Sequence, residues 1–184
     1  MLVGFGLAAL SAVVAGADLR RLGDLQFRRP GILFLGLFAQ VVITTLMPEG
    51  NEDLKEAVHI GSYLLVFVFL AINWRVAGLP VIAVGAALNF TAIAVNGGVM
   101  PADPGAAERA GIADVAGEFE NSRPLDDPKL AFLGDRFAIP KSWPYSNVFS
   151  IGDVLIVLGA AVGMHTVGGS RLVPRRFSGT RRNA

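Results

Sequence analysis

Two carboxylates and an amide carry the chemical interest of this 184-residue chain. Asp153 lies about one turn into an apolar run that begins at Phe149, roughly 6 Å in at 1.5 Å per residue. An acid in hydrocarbon surroundings is a functional candidate by default. Asp135 stands 18 residues earlier, in a segment that must return to feed that same run. The turn Asn96-Gly97-Gly98-Val99-Met100-Pro101 closes another apolar run at the same level. Two carboxylates in unlike surroundings have their pKa values driven apart, which a general acid/base pair requires. Asp153 and Asp135 are therefore the expected catalytic pair if the chain is a hydrolase, and Asn96, Gly97, Gly98 and Arg136 are expected binding residues. The plainer account is that Asp153 caps a helix near its positive end and Asp135 pairs with Arg136 or Lys141.

Other chemistries fall away. Without cysteine there is no disulfide, thiolate metal site, iron–sulfur cluster or cysteine nucleophile. His59 and His165 open and close different apolar runs, so they cannot share a metal, and no ligand spacing occurs. Neither a metal nor a cofactor is expected. The basic residues are scattered among apolar runs and the formal net charge is +1, which leaves no nucleic-acid footprint.

The elements that must position these residues follow from composition. Hydrophobic residues make up 53% of the chain and charged ones 17%, and the mean hydropathy is +0.54. A soluble core of this size could not hide so many apolar side chains in unbroken runs. Five runs approach the ~20 residues that cross a bilayer: about 1–18, 31–47, 58–76, 79–97 and 149–168. The expected architecture is an all-α polytopic bundle of about five spans in residues 1–170, with an outer loop over 98–148 and a basic tail over 171–184. Ten lysines and arginines fall on one side (Arg20, Arg21, Arg28, Arg29, Arg75, Arg171, Arg175, Arg176, Arg181, Arg182) and six on the other, over longer loops. Cytoplasmic loops retain such residues. The chain is thus expected in the cell membrane, N-terminus outside and C-terminus in the cytoplasm. The first run lacks a basic leader and reads as a retained helix rather than a signal peptide.

Polar residues within a span should face another helix. Gly85, Asn89, Ala92 and Asn96 recur at intervals of four, three and four and form one stripe. Gly36, Gln40 and Thr44, and then Gly152, Gly159 and Gly163, repeat the device, as small residues do at close helix contacts. In the outer loop Asp103 can cap, and Pro104 can start, a surface helix whose Ile112, Val115, Ala116 and Phe119 line one face. Trp143 and Tyr145 precede the last span, where amphipathic aromatics mark the headgroup level.

Three motifs carry a resemblance: Asn96-Gly97-Gly98-Val99-Met100-Pro101, Leu133-Gly134-Asp135 and Phe149-Ser150-Ile151-Gly152-Asp153. Together they resemble the pattern of a bacterial multi-pass membrane family of unknown function, over most of the chain; that resemblance implies no activity. A local likeness to lipoprotein signal peptidase, an intramembrane aspartic peptidase, rests on the Asp153 motif and on the order of spans two to five. It implies a catalytic Asp153, although the Asn and Ala of the peptidase motif are missing here.

Two functions are expected from different classes. One is an integral membrane protein whose polar outer mouth binds a partner protein or a lipid, with the bilayer itself as its surroundings. The other is an aspartate-dependent intramembrane hydrolase using Asp135 and Asp153.

Overall fold

The computed structural model describes residues 1–46, 52–111 and 122–174. It is mostly helical. Five apolar helices, α1 (Leu2–Val14), α2 (Gly31–Leu46), α3 (Glu52–Ile72), α4 (Leu79–Val95) and a long last helix (Ile151–Gly168), carry a small cap that follows α4. The cap contains β1 (Met100–Pro101), α5 (Pro104–Ala110), β2 (Ser122–Arg123), β3 (Phe137–Ile139) and β4 (Asn147–Phe149); the last helix is accordingly α6. The expected segments reappear with shifted ends. α1 stops at a left-handed Gly16, short of residue 18, and α3 spans 52–72 instead of 58–76. Among the described helices α6 alone is both long and apolar enough to cross a membrane. Leu2–Val14, Ile60–Ile72 and Leu79–Val95 are apolar but shorter.

The helices pack α2 on α3, α4 on α6 and α6 on α1, with a smaller contact of α3 on α4. α4 and α6 are antiparallel, and glycines let their backbones touch. A Cβ on Gly85 would come within 2.5 Å of the Gly152 carbonyl, and one on Gly159 within 2.7 Å of the Gly78 carbonyl. The two contacts stand two turns apart on each helix, and of the expected stripe of Gly85, Asn89, Ala92 and Asn96 the first two lie in this seam, while Ala92 is buried against Met100 and Leu133 and Asn96 is half-buried. Gly36 packs likewise on the Ser62 carbonyl of α3. The side chains of Gln40, Thr44 and His59 lie outside the described residues.

One end of the helices is tied together by backbone bonds. Asp18 N–H donates to Gly168 O, Arg171 N–H to Ala15 O, and the buried Asn73 side chain pairs with both Arg28 N–H and Arg28 O at 2.8 and 3.0 Å. Arg20, Arg21, Arg28, Arg29, Arg75 and Arg171 all belong to this basic end.

The other end carries the cap, and here the all-α expectation is corrected. A 50-residue excursion must pair its own backbone groups, and it does so through short strands as well as helix. β1 pairs in parallel with β2, and β3 pairs antiparallel with β4. Asp103 does cap α5, its Oδ1 accepting from Ala106 N–H, with Pro104 in the first turn. The helix ends at a left-handed Gly111 and buries Ala106, Ala107 and Ala110, two of them packed with Val148. It is therefore part of the cap's own core. The expected face of Ile112, Val115, Ala116 and Phe119 lies outside the described residues, as does the tail from 175.

Candidate functional site

Helix α6 begins with Ser150, whose hydroxyl accepts from Asp153 N–H at 3.0 Å while Asp153 Oδ2 accepts from Ser150 N–H at 3.0 Å. This reciprocal capping box was legible in the spacing Ser-x-x-Asp, though the sequence reading used only its acid. The helix seam then extends the box. Asn89 of α4 donates through Nδ2 to Asp153 Oδ1 at 2.9 Å and accepts from the Ser150 hydroxyl at 2.8 Å through Oδ1. With a hydroxyl on one side and a carboxylate on the other, only one amide orientation works. Ser150 is completely buried and Asn89 nearly so. Gly152 permits this closeness, since a Cβ there would collide with the Asn89 side chain.

Asp135 returns to the helices as the sequence reading required. Its backbone is held twice, N–H to Pro101 O and O from Asp103 N–H, both at 2.9 Å. Its side chain, only 6% exposed, accepts from the Ser122 hydroxyl at 2.6 Å. Leu133 beside it packs with Met100, Ile93 and Ala92, and the Tyr63 ring of α3 covers that cluster. Burial raises the Asp135 pKa to about 6, against the smaller lowering by the Ser122 hydrogen bond and with a further push from the Asp153 charge. Both carboxylates also lie within electrostatic reach of Tyr63. Asp135, Asp153, Asn89, Ser122, Ser150 and Tyr63 thus gather at the mouth of the helices.

The remaining expected residues go elsewhere. Asn96 clamps the returning loop: its amide donates to Lys129 O and accepts from Lys129 N–H, both at 2.8 Å, and also donates to Ala92 O. Gly97 and Gly98 supply the left-handed turn after α4, with Gly98 N–H donating to Ile93 O. Arg136 is exposed and lines a separate cleft with Asp103, Leu125 and Phe132. Asp135 is paired with neither Arg136 nor Lys141, since the described residues contain a single ion pair, between Arg21 and Asp18. Sequence reasoning missed Ser122 and Tyr63, neither of which has a motif to announce it. No cluster of three or more His, Asp or Glu that could hold a metal occurs among the described residues.

An apolar groove of about 260 Å³ runs beside this polar knot between α1 and α6. Asp153 is its one acidic lining residue, among Met1, Gly4, Leu7, Phe149, Val154 and Val157.

This mostly helical chain belongs to a family of unknown function. Residues 24–164 match the Family of unknown function (DUF5317), and the protein is a member of that family. It is also similar to an uncharacterized protein of Thermotoga maritima, 27% identical over 129 residues that cover 70% of this chain and 71% of that one. No solved structure matches. The family assignment agrees with the expected resemblance to a family of unknown function, and the matched residues cover most of the chain.

Proposed function

We propose that the protein is a multi-pass protein of the cell membrane, N-terminus outside, that binds a lipid at the extracytoplasmic mouth of its helices. The observation that carries this reading is the apolar groove between α1 and α6 that Asp153 lines beneath the cap. Ligand sites of this kind are mostly apolar with a few convergent polar groups. Two further features support it. The outward surfaces of the helices are apolar, with Leu2, Val14, Phe34 and Phe38 all at least 66% exposed. Of the nine arginines among the described residues six (Arg20, Arg21, Arg28, Arg29, Arg75 and Arg171) lie at the end opposite the cap, the bias that cytoplasmic loops carry. A photoreactive side chain at Leu7, in intact cells, is expected to cross-link to lipid, and one at the cap-side Asp126 is not. Equal labelling at both positions would remove the groove from consideration. For orientation, Asp126→Cys should react with an impermeant thiol reagent in intact cells and Gly23→Cys only after lysis.

A second reading, an aspartate-dependent hydrolase, is favoured by one feature: burial pushes the Asp135 pKa up to about 6, and the Asp153 charge adds to the rise. Such a pair can divide acid and base roles. Against it, both Asp153 oxygens already accept hydrogen bonds, Oδ1 from Asn89 of α4 and Oδ2 from the Ser150 N–H at the start of its own helix. Complementation of a deletion strain by Asp135→Asn and by Asp153→Asn, at normal membrane levels, would rule hydrolysis out; loss of function in both without unfolding would favour it.

A further inference from the structure

At the end opposite the cap two turns are locked together. Phe27-Arg28-Arg29-Pro30 leads into α2, and Asn73-Trp74-Arg75-Val76 joins α3 to α4. The buried Asn73 amide accepts from Arg28 N–H at 2.8 Å, donates to Arg28 O at 3.0 Å and donates to Phe69 O at 2.8 Å. Phe27 adds a ring contact with Phe69, 5.5 Å between centroids. Arg29 then takes a left-handed backbone, φ 52°, which strains any residue that has a Cβ. Strain of this kind persists where the surrounding structure over-determines a position.

The lock brings Arg28, Arg29 and Arg75 to one corner, all three exposed. None is in an ion pair among the described residues, where the one such pair joins Arg21 to Asp18. Asp24 is the other acid of this end, and the sequence beyond Ser170 adds five arginines and no acid. The Arg75 guanidinium carbon lies 5.3 Å from the centroid of the exposed Trp74 ring. A ring face holds a guanidinium without neutralising it, so its N–H donors remain for an oxygen anion. Phosphate oxygens match the guanidinium fork. A lipid phosphate, rather than a free one, fits what lies beside the corner. Trp74 is an aromatic of the kind that marks headgroup level, and Phe34, Leu35 and Phe38 in the first turns of α2 offer exposed hydrocarbon for acyl chains.

We propose that Arg28, Arg29 and Arg75 form a headgroup site for an anionic phospholipid of the cytoplasmic leaflet. The proposal rests on the membrane reading and orientation given above, and it concerns the end of the molecule opposite the groove. Basic sites on the cytoplasmic side of membrane helices recognise such heads.

The test uses the full chain in detergent, with dioleoyl-phosphatidylglycerol and dioleoyl-phosphatidylcholine competing for it and native mass spectrometry reading the lipid retained. Phosphatidylglycerol should be retained at least about tenfold more. Arg28→Gln/Arg29→Gln/Arg75→Gln should erase that preference and leave the thermal midpoint in phosphatidylcholine unchanged, since the three side chains are exposed. Arg175→Gln/Arg176→Gln/Arg181→Gln removes the same charge from the tail and should leave the preference in place. Arg75→Gln alone should lower it severalfold, which keeps the test decisive if the triple variant unfolds. An equal loss in the tail variant, or none in the corner variants, overturns the site. Displacement of phosphatidylglycerol by inorganic phosphate, but not by chloride at matched ionic strength, would reassign the corner to a soluble anion. Equal retention of both lipids, with Leu7 still cross-linking to lipid in cells, overturns this site and leaves the membrane reading standing. A chain that stays monodisperse without detergent and retains neither lipid overturns both.

Discussion

The two ends of α6 carry polar knots of opposite character. At the cap end, Asp153, Asn89 and Ser150 join α6 to α4, with Asp135 close behind. At the basic end, His165 joins α6 to α1: Nε2 lies 3.1 Å from the Ser11 hydroxyl and Nδ1 lies 2.9 Å from the Ser170 hydroxyl. The Ser11 hydroxyl donates to Ala8 O at 2.8 Å, so a neutral imidazole with its proton on Nε2 satisfies both serines. Donors and acceptors balance there, and the knot closes on itself. At the cap end, among the described residues, two carboxylates accept from Asn89, from the Ser150 N–H and from Ser122, so acceptor capacity is left over there. A balanced polar cluster is cement, whereas an acceptor surplus in an apolar setting invites a donor from outside, either a ligand or a proton.

The sharpest way to break this contrast is to force the α4–α6 seam open at one end only. Gly152→Ala puts a methyl into the Asn89 side chain and the Gly85 carbonyl, and should cost about 4 kcal/mol, beyond ordinary overpacking because polar and steric losses combine. Gly163→Ala at the basic end meets only the Ala77 carbonyl, at 3.0 Å, and should cost far less. Thermal unfolding in detergent separates them, and comparable losses would show that the two ends are equally tight.

Next in size is the pH response. The pKa of Asp135 is raised on folding from 3.8 to about 6, so the folded state binds more protons than the unfolded one between those values. The stabilisation is complete below about pH 4 and is lost as pH rises through about 6, a change on the order of 3 kcal/mol at 1.36 kcal/mol per unit. The thermal midpoint should therefore fall over that window, and Asp135→Asn should flatten the profile. An undiminished fall in the Asn variant would assign the titration to another group.

Asn89→Ala removes the amide that serves Asp153 and Ser150 and leaves both with unmet hydrogen bonds, for a loss of about 2 kcal/mol. Adding Asp153→Asn to it should cost less than the two changes measured separately, since the residues share one network. Additive losses would dissolve the network into independent contacts.

The smallest effect belongs to the basic end. Ser11→Ala removes one exposed hydrogen bond to His165 and should cost about 1 kcal/mol or less, with no change in lipid retention. A loss larger than that of Asn89→Ala would reverse the ranking of the two knots.

What was legible in the sequence was local or periodic. The apolar runs announced the helices, Asp103-Pro104 announced the start of α5, and small residues spaced along one face announced that α4 and α6 each carry a helix seam, though not that they share it, because a helix repeats its faces every few residues wherever it ends up. Asp153 and Asp135 could be singled out as well, since an acid is conspicuous among apolar residues. Their partners could not. Asn89 meets Asp153 across 64 positions and Asn96 grips Lys129 across 33, and no period links such residues. Residues 98–148 read as a loop bearing one surface helix, yet they fold back through strands only two or three residues long, too brief for alternation to show. Whether Asp153 would be a bare acid, a cap or the wall of a groove depended on which helices flank it. That was decided by tertiary packing, through glycines that let backbones touch and a cap that brings Asp135 to the same place.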